Sequence, residues 1–395
     1  MTRRNVWRRV FRSVEPVPGN QVRLLAGGAD FFPALIAACD AACAEIHLET
    51  YIFNTDATAG AVCDALVRAA RRGVRVRLLI DGIGARDFPA DWRIRLEQAG
   101  AIVLVYRPLL AGWHFKPASL RRLHRKVAVI DASVAFVGGI NLIDDHEPVR
   151  LPWPRLDFTV EVRGPLLADI HANVRRLWRL VALTQFKRPL PDASIEPAWP
   201  TDGHVRAAFV VRDNVAHRRD IERGYLAALA LAQREIVIAN AYFLPGRRFR
   251  TLLKKATARG VRVRLLLQGH TDHPFFLAAA RALYRDLLAA GVVLHEHHLS
   301  ELHAKVAVVD GQWATVGSSN IDPLSLLMAR EANIVIDDTA LASELLNRLE
   351  PAFAAAPALD PDDWQRRPWP HRVLSWLAYG VVRGIVGLVG SGRWA

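Results

Sequence analysis

The sequence predicts an α/β protein made of two similar halves, and three observations carry that prediction. The strand-like run GVRVRLLIDG at 73–82 returns as GVRVRLLLQG at 260–269, identical at eight of ten positions. The constellation His124-x-Lys126-(x4)-Asp131 returns as His303-x-Lys305-(x4)-Asp310. In each half, branched apolar runs alternate with stretches of helical periodicity, the pattern of strands with helices packed on them.

Each element follows from its residues. EIHLETYIF (Glu45–Phe53) reads as a strand from its branched and aromatic content, and Ala59–Arg72 has helical periodicity ended by Gly73. VRVRLLID then reads as a buried parallel strand and KVAVID as another, since neither alternates apolar with polar. The second half runs in the same order through EIVIANAYF, Phe249–Arg259, VRVRLLLQ and KVAVVD. The strand repeats 187 positions on (73 to 260), but the motif only 179 (124 to 303). The difference falls in Pro108–Arg122, an insertion before the first motif and a candidate for substrate contact. Pro189, Pro191, Pro197 and Pro200 mark a linker. The expected organisation is a basic segment at 1–20, a first domain at 21–186, a linker at 187–203, a second domain at 204–355 and a tail at 356–395.

The repeated motif carries the chemistry. A strand alternates its faces at every residue, so His and Lys two apart point the same way. That places a nucleophile or proton carrier beside a fixed cation. Each Asp is followed by six residues and then a small-residue turn ending in asparagine, Gly138-Gly139-Ile140-Asn141 and Gly317-Ser318-Ser319-Asn320. Small residues let the backbone approach an oxyanion, and Asn supplies amide donors. Two such half-sites facing each other put two His, two Lys and two Asn around one phosphate, a phosphoryl-transfer site. Gly139 stands where the second half has Ser318, so the two phosphate subsites are inequivalent.

The paired motifs resemble those of the phospholipase D superfamily. The stretches GSSNIDPLSLLMAREANIVI (Gly317–Ile336), DNVAHRRDIERGYLAAL (Asp213–Leu229) and EIVIANAYFLPG (Glu235–Gly246) resemble its bacterial cardiolipin synthases, most closely the short B type. The likeness runs from about Gln21 to Pro351. It implies two phospholipase D-like α/β lobes, each a mixed, mostly parallel sheet flanked by helices, with the active site at the lobe interface. It also implies phosphatidyl transfer between phosphatidylglycerol molecules through a phosphohistidine, without cofactor or metal.

By that resemblance the catalytic set is His124, Lys126 and Asp131 with His303, Lys305 and Asp310. His124 is the expected nucleophile and His303 the expected acid and base. Asn141, Asn320, Ser318 and Gly139 are expected around the phosphate. Asp157 and Glu331 match the family's carboxylates that orient each imidazole. Asp131 and Asp310 are expected to tie the motif strand to its neighbours.

The formal charge of +13 calls for an anionic partner: phospholipid substrate, an anionic membrane surface, or nucleic acid. The phospholipid reading is preferred, with phosphatidylglycerol or phosphatidylethanolamine as substrate. Nucleic acid is disfavoured because no aromatic-and-basic stacking groove is evident. Arg3, Arg4, Arg8, Arg9 and Arg12 precede no apolar run, so no signal peptide is read, and the inner-membrane surface on its cytoplasmic side is the expected location. The tail at Val373–Gly390, broken by Arg383, is marginal for spanning and reads as an interfacial helix or one packed on the protein itself. Of the three cysteines, Cys39, Cys43 and Cys63, the first two sit one helical turn apart and read as core packing rather than a disulfide. His295 and His297 share a strand face, yet a polar rim is preferred over a metal pair. Two alternatives stand beside the synthase: a phosphodiesterase of the same superfamily, and a membrane scaffold with a decayed site.

Overall fold

The computed structural model describes residues 15–108, 121–147, 152–186, 195, 199, 202–270 and 274–389. The first half runs β1 (Val17–Ala26), α1 (Gly27–Ala41), β2 (Glu45–Thr50), α2 (Ala57–Arg71), β3 (Arg75–Asp81), α3 (Ala90–Gln98) and β4 (Ile102–Tyr106). It continues through β5 (Lys126–Ile130), β6 (Val134–Gly138), β7 (Phe158–Arg163) and α4 (Leu167–Thr184). The second half runs β8 (Val205–Arg212), α5 (Asp220–Leu231), β9 (Glu235–Asn240), α6 (Arg247–Ala258) and β10 (Arg262–Gln268). Then come α7 (Pro274–Arg281), α8 (Tyr284–Leu288), β11 (Val293–His297), β12 (Lys305–Val309), β13 (Trp313–Gly317), α9 (Pro323–Leu327), β14 (Glu331–Asp337) and α10 (Thr339–Ala354). The tail forms α11 (Pro361–Gln365) and α12 (Trp369–Val389).

All the described strands join one 14-stranded sheet in the order β11-β10-β9-β12-β13-β14-β8-β1-β7-β6-β5-β2-β3-β4. Read outward from the centre, the two halves place equivalent strands in the same order. They meet where β1 pairs β8, through Val17 with Ala207 and Asn20 with Val205. Asn20 is fully buried there. Its amide donates to the carbonyls of Val17 and Val205, and its oxygen accepts from the Leu166 amide at 2.9 Å.

The sheet is mixed. β2-β3-β4 and β9-β10-β11 are parallel, whereas β5 and β12 run antiparallel to β2 and β9. This corrects the expectation that KVAVID and its repeat are parallel strands. An uninterrupted apolar run reports that both faces are covered, which helices achieve here for either strand direction. β5 and β12 are buried along their whole length. Gly73 and Gly260 end α2 and α6 at φ of +90° and +85°, the left-handed turn that leads into the repeated strand.

Cys39 and Cys63 are buried in the core as free thiols, but Cys43, expected in the core, is exposed, because it lies in the turn beyond α1. No helix among the described residues is long and apolar enough to cross a membrane. Most of the expected linker, the basic segment up to residue 14 and the insertion at 109–120 lie outside the described residues.

Candidate active site

The two motifs stand at the starts of β5 and β12, and each is stitched to the opposite half. The His124 amide donates to the Arg330 carbonyl at 3.0 Å, and the Arg330 amide to Arg122 at 2.8 Å. In the mirror arrangement, the Leu156 amide donates to Glu301 and the His303 amide to Leu156, both at 2.9 Å. These backbone bridges carry Asp157 and Glu331 across the boundary between the halves.

The consequence is a crossed pair. Nδ1 of His124 lies 2.9 Å from Oε1 of Glu331, in the second half. Nδ1 of His303 lies 2.5 Å from Oδ2 of Asp157, in the first half. A carboxylate that accepts the Nδ1 proton fixes the tautomer and leaves Nε2 as the ring nitrogen available for chemistry. Neither half therefore holds a complete imidazole–carboxylate unit by itself. Burial and the two lysines lower both imidazoles from their ordinary value, His303 further than His124. Burial also raises Asp157 to about 6.

Lys126 and Lys305 point into the same buried space. Lys126 Nζ donates to the carbonyl of His124 at 2.7 Å, and Lys305 Nζ to that of His303. Burial, with the second ammonium close by, pushes Lys126 down to about 7, and burial pushes Lys305 to about 8. The two buried ammonium groups repel one another, an effect the Asp157 and Glu331 carboxylates offset in part, so the site favours a further negative charge.

Asn141 and Asn320 are both buried at the ends of their turns. Asn141 Oδ1 accepts from the Ile52 amide at 3.2 Å, while Asn320 Oδ1 is buried with no hydrogen-bond partner. An orphaned acceptor of this kind is completed by a donor, such as a hydroxyl group, and not by a phosphate oxygen.

Gly139 and Ser318 support the carboxylates. A Cβ on Gly139 would lie 2.2 Å from Asp157 Oδ1, so only glycine leaves room for that carboxylate to reach His303. In the second half, Ser318 Oγ donates to Glu331 Oε2 at 2.5 Å. Both positions, expected around the phosphate, lie against the two acids that meet the histidines.

Asp131 and Asp310 sit at the far ends of β5 and β12. Asp131 accepts the amides of Cys43, Ala44 and Glu45 at 2.7–2.8 Å. Asp310 accepts those of Gln233, Arg234 and Glu235. Both take positive φ, 50° and 55°, to make those bonds.

Two supports were not read from the sequence. Asp81 Oδ2 accepts the Leu123 amide at 2.8 Å, and Gln268 Oε1 accepts the Leu302 amide at 2.9 Å, each just before the motif histidine. These are equivalent positions of the repeated strand, and their polarity at the end of an apolar run was the available signal. Tyr51 packs its ring 5.0 Å from that of His124, with Lys126 Nζ 5.5 Å from its centroid. A tight buried group, Glu45, His47 and His171, was also missed. The Arg77 guanidinium lies 2.8 Å from Glu45 and 3.0 Å from His47 Nε2, so a cation already fills the place a metal would take. Of the nearby histidines, His295 bonds to the Ala356 carbonyl and His297 to Ser300.

Comparison with known proteins agrees with this geometry. A family model described as "Cardiolipin synthase, PLD-like domain" matches residues 35–146 and 225–352. The chain is 38% identical over 383 residues to cardiolipin synthase B of Escherichia coli, covering 94% of this chain and 90% of that one. It is 28% identical to cardiolipin synthase A of Proteus mirabilis, covering 93% of this chain and 76% of the relative. Among solved structures, phosphatidylserine synthase of Haemophilus influenzae superposes with a TM-score of 0.73 at 13% identity, covering 98% of both chains. That last likeness concerns the fold. With two intact motifs meeting across the sheet, the chain belongs to the phospholipase D-like cardiolipin synthase family and is a phosphatidyltransferase.

Proposed function

We propose that this enzyme moves a phosphatidyl group from one phosphatidylglycerol to the hydroxyl of a second, making cardiolipin and releasing glycerol. His124 Nε2 attacks the phosphorus, the bond to the glycerol oxygen breaks, and His303 gives that oxygen a proton. The incoming hydroxyl then loses its proton to His303 and attacks the phosphorus, breaking the P–N bond. One residue thus serves first as acid and then as base.

The crossed carboxylate–imidazole pairs around two buried lysines carry this reading. The bound phosphodiester neutralises part of the lysine repulsion and so raises both imidazoles, letting one hold the proton the first step needs. Lys126, Lys305 and the two asparagine amides stabilise the charge that grows on the nonbridging oxygens. An imidazolium with a lowered pKa is also the stronger acid, which suits His303 as proton donor. The same chemistry accommodates phosphatidylethanolamine as donor or water as acceptor.

The test is incubation of the purified protein with phosphatidylglycerol in mixed micelles, with products identified by mass spectrometry. His124→Ala and His303→Ala run alongside. Cardiolipin plus glycerol, absent in both variants, upholds the transferase. Phosphatidic acid alone would make the protein a phospholipase. We also place the enzyme peripherally on the cytoplasmic face of a bacterial inner membrane, supported by its basic charge. Recovery wholly in the soluble fraction of cells would overturn that placement.

A further inference from the structure

Helix α12 is packed the opposite way round from an ordinary surface helix. Its inward positions are Ser375, Ala378, Tyr379 and Val382, of which Ala378 and Val382 are buried, at 2% and 5% exposure. They lie along α7, and the Arg250 guanidinium donates to the Tyr379 hydroxyl at 3.4 Å. The larger apolar side chains face out: Leu374, Trp376 and Leu377 are 60%, 57% and 62% exposed. A helix at rest in water buries its large apolar residues and exposes its small and polar ones.

Beside this strip lies a basic recess between α7–α8, α11 and α12. Arg281, Arg285, Arg367, His371 and Arg372 line it, and no aspartate or glutamate does. Arg281 is paired with Glu296 at 2.8 Å. The Arg367 guanidinium lies 3.8 Å over the ring of Trp364, which also lines the recess. Trp376 belongs to both features, so the recess and the apolar strip share an edge. α7 connects them to the active site. Phe276 and Ala280 of α7 line an apolar pocket with Tyr242 and Asp322, and Asp322 lies two residues beyond Asn320.

We propose that the outward face of α12 and the adjoining arginine recess form the surface by which this enzyme docks on an anionic phospholipid bilayer. Leu374, Trp376 and Leu377 enter the boundary between headgroups and acyl chains, and the recess receives lipid phosphates. Apolar insertion beside a cluster of arginines is the combination that holds a helix in the plane of an anionic membrane. The proposal rests on the reading of the substrate as phospholipid.

The test measures binding to vesicles of phosphatidylcholine, with and without phosphatidylserine, an anionic lipid chosen so that the proposed substrate is absent. The full chain is compared with Leu374→Ser/Trp376→Ser/Leu377→Ser and with Arg285→Ser/Arg372→Ser. Wild type binds the anionic vesicles in preference to the neutral ones. The apolar triple variant binds both at least about tenfold more weakly. The arginine variant loses the anionic preference. Inorganic phosphate at millimolar concentration leaves wild-type binding in place, which separates a membrane from a free-phosphate site. Both variants keep the wild type's circular dichroism and a single cooperative thermal transition, showing that they are folded.

Vesicle binding by the triple variant equal to wild type overturns the proposal. So does a change in its oligomeric state with vesicle binding intact, which would make a second copy the occupant of this face. Wild type that docks but turns over no lipid would sink the functional reading and leave the docking surface standing. Turnover in micelles without vesicle binding would do the reverse.

Discussion

Replacing Lys126 with methionine should stabilise this protein while destroying its activity. Lys126 is buried, and its neighbourhood holds its pKa at about 7 against an ordinary value near 10.5. Because the folded value is the lower one, folding disfavours the charged form. The penalty is full below pH 7 and fades as pH rises toward 10.5. Near neutrality the difference corresponds to about 4 kcal/mol, an upper bound. Methionine forfeits the Nζ bond to the His124 carbonyl, worth about 1 kcal/mol, and local relaxation takes a further share. A net gain of about 2 kcal/mol remains, or about 2–3 °C in Tm for a chain of this length. Turnover of phosphatidylglycerol should fall about 10³-fold, since the cation no longer meets the nonbridging oxygens. The assay is thermal unfolding from pH 6 to pH 10 beside micelle turnover at pH 7. The stability gap should narrow steadily as pH rises. A variant less stable than wild type at pH 7, or a gap that ignores pH, would refute the reasoning.

Four further outcomes follow from the same geometry. Glu331→Gln should cut kcat about 10- to 100-fold and remove the phosphohistidine trapped on His124, although the two residues belong to opposite halves; trapping at wild-type level would contradict the crossed pairing. Gly139→Ala should lower kcat by pushing Asp157 away from His303, checked by turnover and by loss of the pH profile's acidic limb. Asp131→Ala loses three amide partners and should cost about 3 kcal/mol in denaturant unfolding, with kcat per folded molecule close to wild type. The KM for phosphatidylglycerol should rise as pH climbs through about 7 to 8, where Lys126 and then Lys305 lose their protons. A KM flat across that range would argue against the lysines as the phosphate's partners.

Much of this molecule is legible in one dimension because the chain repeats itself. The return of VRVRLL and of His-x-Lys predicts two equivalent half-sites, and strand alternation places each histidine beside its lysine. The types and spacing of those residues suffice to name phosphoryl transfer. Strand direction was not legible, since full burial of KVAVI reads the same parallel or antiparallel. The sequence also could not say which carboxylate serves which histidine. That pairing depends on backbone bridges between residues far apart in the chain, such as Arg122 with Arg330 and Leu156 with Glu301 and His303, which exist only once the two halves join at β1 and β8. Gly139 reads in sequence as a place for phosphate, and only packing reveals that its missing side chain is filled by Asp157. The outward face of α12 was likewise decided by tertiary contact. Periodicity finds the two sides of a helix, and it takes a neighbour such as α7 to determine which side is covered.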